Sequence, residues 1–593
     1  MTNPATTDTG KNLLRDFTAD RRLLLLSAMA LATGCFGAGA AWALLKLIAL
    51  FTNLAYFQTF SSAPVALSHA RLGLGSIAIP VAGGLIVGLM ARFGSDKIRG
   101  HGIPEAIEAI LIGQSRIEPK VAILKPLSSA IAIGTGGPFG AEGPIIMTGG
   151  ALGSLFAQLF HLSPAERKTL LVAGAAAGMT AVFGTPIAAI MLAVELLLFE
   201  WKPRSFIPVT VSAIVAAAIR PHLVGAGPLF PYHGIAAMPS WGLALCAGAG
   251  ALAGLQSAAM TLCLYGAEDL FRKLPIHWMW WPALGGIAVG IGGYLDPAVL
   301  GVGYDSIRAL IEGSVAVPAA AMLLVGKAAV WIVALSSGTS GGVLAPLLIM
   351  GGALGAMEAN LMPFGDAGFW ALIGMSAILG GTMRAPLTST MFAVELTGNL
   401  HVMPAVMTAS VAAFAVTALL MRRSILTGRI ARRGLHLSRE YIVDPFEVMR
   451  VSEIMAAPAD SLLQDMPIAD AIAFFDATTG AKRHKSYPIV DPQNHVTGVV
   501  SRSDVLRWTR EGWHESMTLA DHARGREVFT AYADELTGAL ADRMAAADIG
   551  RAPVVDRATG KLIGLVARRD LLRVRAHALR QERERERSLK LFG

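Results

Sequence analysis

One carboxylate stands alone in an apolar, glycine-rich stretch of the sequence. In GTGGPFGAEGPIIMTGG (Gly134 to Gly150), Glu142 is the only charged residue, and no other charge occurs between Lys125 and Glu166. A second Gly/Pro-rich break, GGVLAPLLIM, runs from Gly341 to Met350. Neither break contains Lys or Arg, and each leads into an apolar run that would start a helix. Because a helix N-terminus offers free N–H groups and the positive end of its dipole, the pattern predicts an anion site. There Glu142 would act as a tethered substitute for the anion and leave when protonated.

The composition places this site in a membrane. Of the 593 residues, 54% are hydrophobic and 16% are charged, whereas soluble proteins carry about a quarter charged residues. Four charge-free runs are near the roughly 20 residues that a helix needs to cross a hydrocarbon core: Leu23 to Leu45, Leu72 to Ala91, Trp241 to Ala267 and His401 to Met421. From about Arg422 onward, charges become dense. The sequence therefore predicts an integral membrane domain followed by a soluble tail, and an ionisable residue at membrane depth is by default functional.

The basic residues predict the orientation and explain the net charge of +8. Four of them precede the first span: Lys11, Arg15, Arg21 and Arg22. The basic segment RRSILTGRIARRG (Arg422 to Gly434) follows the last span, so both termini are expected to be cytoplasmic, in a plasma or inner membrane. Contact with anionic membrane lipid accounts for the excess, and no nucleic-acid partner is needed. The cysteines lack paired spacing, so no disulfide framework or metal site is expected; they are Cys35, Cys246 and Cys263.

The membrane part contains an internal repeat. PIIMTGGALGS, which begins at Pro144, resembles PLLIMGGALGA, which begins 202 residues later at Pro346. The segment that ends at Leu196 resembles the segment that ends 200 residues later at Leu396, and both end in AVEL. Two matches at nearly one offset indicate a duplication. Duplicated membrane proteins commonly bind their substrate between the repeats, where helices are broken. Close packing of small residues is the alternative interpretation of the GGALG glycines, but it does not explain Glu142.

These motifs resemble those of the CLC family of chloride channels and chloride/proton exchangers. GHGIPE (Gly100 to Glu105) resembles the family's GSGIP, GAEGP (Gly140 to Pro144) resembles GREGP, and GVLAP (Gly342 to Pro346) resembles GIFAP. They occur in family order, and the resemblance covers about Leu23 to Gly434. It implies an all-α polytopic membrane domain with an inverted-repeat CLC-like fold of broken helices. It also implies a homodimer with a separate pore in each protomer.

The resemblance also implies roles for particular residues. Glu142 would be the external gating glutamate, and chloride or a related anion would be the transported ligand. The amides of Val343 and Leu344 would hold a central anion, and the turn around Glu142 an outer one. The anion-binding residues implied in this way are Gly100, His101, Gly102, Ile103, Pro104, Gly140, Ala141, Gly143, Gly342, Val343 and Leu344. No cofactor and no catalytic residue is expected.

Three positions depart from the family pattern. His101 replaces a filter serine; it would donate a hydrogen bond to the anion and titrate near neutral pH, unless it turns toward the cytoplasmic loop beside Arg99. Ile425 or Leu426 stands where the family has its pore tyrosine, so a hydroxyl contact is lost and the inner gate is expected to be looser. Leu196 stands at the inner glutamate position of the exchangers.

These departures favour a voltage- or pH-gated chloride channel. An aliphatic Leu196 cannot relay a proton, although water past it or titration of His101 would allow the alternative, a proton-coupled chloride antiporter. An intramembrane enzyme would need a nucleophile–base pair or metal ligands in the spans, and neither is evident, so no enzyme is expected. A membrane sensor that acts through its tail would not require a buried Glu142. Glu195 has a repeat partner in Glu395, which favours a structural role such as helix capping.

The tail repeats a helix–strand–turn–strand unit. The two copies end in GVVSRSD and GLVARRD, each of which opens a helix, and they resemble a tandem pair of CBS domains over about Val451 to Val574. In such domains a hydroxyl and an aspartate hold the phosphate and ribose of an adenosine nucleotide. Ser501, Asp504 and Asp570 fit this role, whereas Ala567 lacks the hydroxyl. The alternative is that the aspartates only cap helices and that the pair serves dimerisation and regulation.

The predicted domain organisation has six parts. They are a cytoplasmic N-terminal segment (1–22), the CLC-like membrane domain (23–434), a linker (435–450), CBS domain 1 (451–513), CBS domain 2 (514–576) and a charged C-terminal tail (577–593).

Overall fold

The computed structural model describes residues 22–67, 70, 73–111, 113–234, 238–432, 446, 449–477, 485–512, 516–525 and 528–574. The predicted N-terminal segment up to residue 21, most of the predicted linker and the predicted charged tail lie outside this set. The chain divides into two units, Met1–Glu440 and Tyr441–Gly593.

Seventeen α-helices occur between residues 22 and 432 in the described part of the first unit. They are α1 (Arg22–Thr52), α2 (Ala78–Phe93), α3 (Ile103–Leu111), α4 (Pro119–Gly134), α5 (Glu142–Gln158), α6 (Pro164–Phe183), α7 (Pro186–Leu192), α8 (Pro203–Leu223), α9 (Gly242–Arg272), α10 (Trp281–Leu295), α11 (Tyr304–Ile311), α12 (Val317–Ser336), α13 (Leu344–Glu358), α14 (Ala367–Met383), α15 (Pro386–Thr397), α16 (Met403–Leu420) and α17 (Ile425–Arg432). A π-helical turn, Ala193–Leu198, continues α7.

Seven helical segments among the described residues are long and apolar enough to cross a membrane. They are Arg22–Phe57, Leu74–Phe93, Pro203–Leu223, Gly242–Arg272, Val317–Ser336, Leu344–Leu361 and Leu400–Arg432. The four charge-free runs of the sequence coincide with four of these segments to within two residues at each start. Two shorter apolar helices, Pro186–Leu198 and Ala367–Met383, lie among them. Broken and half-length helices therefore accompany the full spans, as expected for a membrane transporter.

The duplication recurs in the structure as matched helices. Helices α5, α6 and α7 of the first half correspond to α13, α14 and α15 of the second, and both α7 and α15 begin with proline. In each half the GGALG segment packs closely on the next helix, because a side chain at Gly149 would collide with the carbonyl of Gly174, and one at Gly351 with that of Gly374. Close packing, the alternative considered for these glycines, is therefore part of their role.

The two halves cap each other. The carboxylate of Glu195 accepts hydrogen bonds from the first free amides of α15, and the carboxylate of Glu395 accepts them from the first free amides of α7. The donors are Leu387 (3.2 Å) and Thr388 (2.8 Å) for Glu195, and Ile187 (2.9 Å) and Ala188 (2.8 Å) for Glu395. These contacts satisfy N–H groups that a helix leaves free at its start. The capping role expected for the AVEL glutamates is confirmed.

The described part of the second unit contains two similar three-stranded sheets. Their strand orders are β1-β2-β3 and β4-β5-β6, with a parallel and then an antiparallel pairing in each. The strands are β1 (Leu462–Leu463), β2 (Ser486–Val490), β3 (Val496–Ser501), β4 (Ala531–Tyr532), β5 (Arg551–Val555) and β6 (Leu562–Ala567). The helices are α18 (Ile468–Ala477), α19 (Arg502–Glu511), α20 (Leu519–Ala523) and α21 (Thr537–Ala546). The predicted helix–strand–turn–strand order is confirmed in both copies.

We expect that Glu195→Ala and Glu395→Ala each destabilise the membrane unit by about 1 kcal/mol, the usual cost of losing a helix cap. Thermal unfolding of the purified protein in detergent measures this as a lower Tm for each variant. Glu312→Ala is the control, because Glu312 is exposed and outside the two caps. An unchanged Tm in both capping variants would contradict the structural role of these contacts.

Candidate functional site

The three predicted Gly/Pro turns meet through backbone hydrogen bonds. Gly140 and Gly342 exchange two of them: the Gly140 amide donates to the Gly342 carbonyl at 3.1 Å, and the Gly342 amide donates to the Gly140 carbonyl at 2.8 Å. The Gly100 amide donates to Thr339 at 3.3 Å, and the Gly341 amide donates to the Gly100 carbonyl at 3.4 Å. Turns from both halves of the duplication thus form one site, and all eleven residues predicted to bind the anion are buried.

Glu142 occupies this site with its side chain. It is the first residue of α5 and is fully buried (0% exposed). Its Oε1 accepts a hydrogen bond from the Ala345 amide, in the first turn of α13, at 2.9 Å. Its Oε2 has no hydrogen-bond partner, and the carboxylate forms no ion pair, in the part of the chain that the structure describes. A helix N-terminus therefore binds the carboxylate as it would bind a free anion. Ala345 was not among the residues predicted from sequence, which singled out Val343 and Leu344.

Glycines allow the backbones to approach this closely. Gly102 has φ +89°, a left-handed conformation that favours glycine, and its turn packs against Gly143. A side chain at Gly143 would collide with the carbonyl of His101, and one at Gly140 or Gly342 would collide with the carboxylate of Glu142. The glycine positions of the three motifs follow from contact between turns that are far apart in sequence.

Two buried lysines hold turns at the site. Lys125 and Lys327 are both 0% exposed and lie 202 residues apart, which is the repeat offset. Each ammonium group donates to two backbone carbonyls: Ile98 (2.8 Å) and Gly100 (2.8 Å) for Lys125, and Val299 (2.9 Å) and Gly301 (3.0 Å) for Lys327. Neither lysine was among the residues predicted from the sequence. Their repeat offset was the available signal, because a lysine inside an apolar helix is costly and its recurrence in both halves indicates a function.

His101 is buried, with 1% of its surface exposed. Its Nδ1 has no hydrogen-bond partner among the described residues. Lys125 and Arg429 act on the imidazole electrostatically. The side chain therefore lies inside the protein, close to the charges of the Gly100 turn.

The positions that depart from the family pattern are apolar and buried. Leu196, in the π-helical turn after α7, and Leu426, in α17, are both 0% exposed, and Ile425 is 1% exposed. The nearby hydroxyl of Tyr265 donates to the carbonyls of Ser424 (3.1 Å) and Ile425 (3.3 Å), at the start of α17. At these positions the chain therefore has neither the glutamate carboxylate nor the tyrosine hydroxyl of the family pattern, and the Tyr265 hydroxyl is already hydrogen-bonded.

A cavity of about 740 Å³ opens next to the Gly100 turn. Its described lining has six basic and five acidic side chains, so much of its charge is balanced. Arg429 lies against Gly100 and donates from its Nε to Glu268 at 2.8 Å. Arg429 therefore joins the Gly100 turn to the lining of this cavity.

The second unit has its own cavity, of about 630 Å³, and its lining is basic: Lys485, Arg551, Arg568 and Arg569. The predicted nucleotide residues are not part of its described lining. Ser501 donates to Asp504 at 2.6 Å and caps α19, and Asp570 accepts the Ala567 amide at 2.9 Å. Burial raises and the hydrogen bonds from Ser501 lower the pKa of Asp504, with a net decrease that keeps it ionised. Capping is therefore the role that these contacts support.

Comparisons with known proteins agree with this architecture. The sequence model of the voltage gated chloride channel family matches residues 83–418, and that of the CBS domain matches residues 451–511 and 524–577. The voltage-gated ClC-type chloride channel ClcB of Escherichia coli O81 (strain ED1a) is 28% identical over 431 residues, which are 70% of this chain and 100% of that protein. The crystal structure of a slow cyanobacterial Cl⁻/H⁺ antiporter aligns with a TM-score of 0.61 and 21% identity, over 70% of this chain and 99% of the other. A eukaryotic CLC transporter aligns with a TM-score of 0.58 and 19% identity, over 93% of this chain and 98% of the other.

The fold and the buried turns thus define a membrane protein with an inverted-repeat, mostly helical transport unit and a CBS pair. The chain belongs to the voltage gated chloride channel family, the CLC family. The resemblance and the fold class predicted from sequence are confirmed.

We expect that Gly140→Ala expels the Glu142 carboxylate from the site, because the new methyl group would collide with both of its oxygens. Glutamate is flexible, so the side chain can move while the turn stays in place. The methyl group would then lie in the space of the carboxylate oxygens, which is also the space of the anion that replaces them, so chloride efflux from liposomes at neutral pH should fall several-fold. Gly150→Ala is the matched control, because its methyl group would meet only Leu171, whose nearest side-chain atom lies at 3.2 Å. Wild-type flux in the Gly140 variant would show that this space is not on the anion path.

Proposed function

We propose that this protein conducts chloride through a pore in each protomer of a homodimer, and that Glu142 is the gate. The observation that supports this most directly is the hydrogen bond from the Ala345 amide to the Glu142 carboxylate. A negative group held by backbone amides without a cation is a model of the bound anion itself. The turn that carries Glu142 and the turn that binds it belong to different halves of the duplication, which is where such proteins bind their substrate.

Gating follows from the charge of this carboxylate. While it is ionised, it competes with chloride for the N-terminus of α13. Protonation removes the charge that the helix terminus attracts, so the side chain leaves and chloride enters. The amides of Val343 and Leu344 lie next to Ala345 at the start of α13 and would hold the more central anion, and the buried His101 would donate to it. Acidification outside should therefore increase conductance, and a membrane potential that moves the charge of Glu142 should gate it.

We further propose that conduction is channel-like. Exchange needs a route by which protons reach Glu142 separately from the anion. Leu196 is buried and aliphatic, and Glu195 is engaged in capping α15. Leu426 offers no hydroxyl to close the inner end of the anion path. These features support uninterrupted anion passage from the cavity of about 740 Å³ next to the Gly100 turn.

The second candidate is proton-coupled chloride exchange. It is favoured by the similarity of this fold to a protein described as a Cl⁻/H⁺ antiporter. The retention of Glu142, whose carboxylate both accepts a proton and competes with chloride, is compatible with both mechanisms. The cavity next to the Gly100 turn is also lined by ionisable side chains, including Glu105 and Glu268, which could carry protons.

For the tail we propose a regulatory role through an adenosine nucleotide. The basic lining of its cavity supports binding of a phosphate-bearing ligand, because four cations lie around one space with the main-chain groups of β6 beside it. Ser501, Asp504 and Asp570 would have to exchange their capping contacts for contacts with the ligand.

We expect that Glu142→Gln removes the external-pH dependence of chloride flux. A neutral amide does not compete for the anion site at any pH. In the wild type, flux should rise by up to about tenfold per unit of acidification while the carboxylate is mostly ionised. The measurement is chloride efflux from liposomes at external pH 5 to 8, conditions chosen to bracket carboxylate and imidazole titration.

Two further variants separate Glu142 from other ionisable groups. Glu358→Gln neutralises a different buried glutamate, at the end of α13, and should keep the pH dependence. His101→Asn removes the imidazole near Lys125 and Arg429 and shows whether its titration contributes to the pH dependence of chloride flux. A Glu142→Gln protein with wild-type flux and pH dependence would end the gating proposal.

Channel and exchanger are distinguished by proton movement. With a chloride gradient across vesicles and the voltage set by a potassium ionophore, we expect chloride flux with no proton movement driven uphill. The physical reason is the apolar inner path around Leu196. Uphill proton transport at a fixed ratio to chloride would establish the exchanger instead. Vesicles without protein provide the control for proton leak.

A further inference from the structure

Tyr304 has a place in the second half that the sequence motifs did not reveal. It is the first residue of α11 and follows a turn that begins at Gly301, 201 residues after Gly100. The two turns make equivalent contacts with the other half: the Gly301 amide donates to the Gly136 carbonyl at 3.0 Å, as the Gly100 amide donates to Thr339 at 3.3 Å. The duplication therefore provides a fourth turn, and the residue before Tyr304 packs on the helix that binds Glu142, because a Cβ at Gly303 would lie 2.6 Å from the Ile349 side chain of α13.

The position of Tyr304 is fixed from two sides. The Lys327 ammonium group donates to the Gly301 carbonyl at 3.0 Å and so holds the turn before α11. The phenol ring meets the ring of Phe230 edge to face, with the ring centroids 5.7 Å apart. Phe230 is itself 1% exposed. A side chain held in this way loses little freedom when it binds a ligand.

The hydroxyl group of Tyr304 is buried and has no hydrogen-bond partner among the described residues. Glu142 acts on this tyrosine electrostatically. The Oε2 atom of Glu142 is likewise buried without a partner in the described part of the chain. The two atoms are thus a donor and an acceptor that do not bond to each other, although buried polar groups are nearly always paired. An anion that takes the place of the carboxylate when it leaves would satisfy the hydroxyl.

We propose that the Tyr304 hydroxyl is a ligand of the transported anion and donates a hydrogen bond to the anion that replaces the Glu142 carboxylate. This inference rests on the proposed function, in which the carboxylate leaves its site. Tyrosine suits the role, since its hydroxyl is a neutral donor at the pH of transport and does not trap the anion as a cation would. The Tyr304 hydroxyl would thus give the anion a hydroxyl ligand, which the buried Leu426 cannot provide at the inner end of the path.

Chloride binding to the purified full-length protein tests this proposal. Isothermal titration with chloride is carried out on Glu142→Gln, in which the site is open, and on Glu142→Gln combined with Tyr304→Phe. Phenylalanine keeps the ring and removes only the hydroxyl. We expect the double variant to bind chloride about tenfold more weakly, as for the loss of one hydrogen bond to a charged group.

Tyr232→Phe in the Glu142→Gln background is the matched control. The Tyr232 hydroxyl already donates to Asp366 at 2.7 Å, so its loss should leave the Kd for chloride unchanged. Misfolded protein lowers the number of binding sites per chain and not the Kd of the folded fraction, so the Kd is the deciding quantity. A Kd for the Tyr304 variant within about twofold of Glu142→Gln, or an equal loss with Tyr232→Phe, overturns the inference and leaves the gating proposal intact. If Glu142→Gln neither binds nor conducts chloride, the proposed function fails, and this inference fails with it.

Discussion

The central constraint on this structure is a carboxyl group that is buried in an apolar protein interior, with no ion pair among the described residues. Glu142 is fully buried, and its hydrogen bond comes from the amide of Ala345. Within a helix, only the amides of the first turn are free to stabilise the charge of an ionised carboxylate, because the others are already bonded. A helix must therefore start inside the protein, and the chain before it must leave helical form. The glycines, the prolines and the broken helices of the site all follow from this requirement.

Broken helices create a second requirement, since carbonyl groups at the breaks also need partners. The turns meet this need partly by pairing with each other, as Gly140 and Gly342 do. Lys125 and Lys327 also contribute, because each donates to two carbonyls, one of which belongs to Gly100 or to Gly301. A buried ammonium group is itself costly unless its protons are bonded. Each lysine therefore fixes its turn strongly, and the duplication provides the same solution twice.

The same anion site is compatible with a channel and with an exchanger, and the difference between them must arise elsewhere. What differs is whether protons and anions reach Glu142 by separate routes. In this chain the relevant inner positions are apolar, at Leu196 and Leu426, while the neighbouring Glu195 is engaged in joining the two halves. The proposed channel mechanism therefore depends on a few side chains around the proposed anion site, in a fold that can host more than one activity.

The sequence by itself determined the membrane class, the duplication, the family and the position of Glu142, because each depends on composition or on local spacing. Charge-free runs, a repeat near 200 residues and Gly/Pro breaks are visible along the chain without knowledge of the fold. Only the tertiary structure decided which groups meet. It placed Glu142 on the amide of Ala345, 203 residues further along the chain, and it buried His101. Contacts between such distant residues depend on how the two halves pack, and no local pattern in the chain specifies that packing.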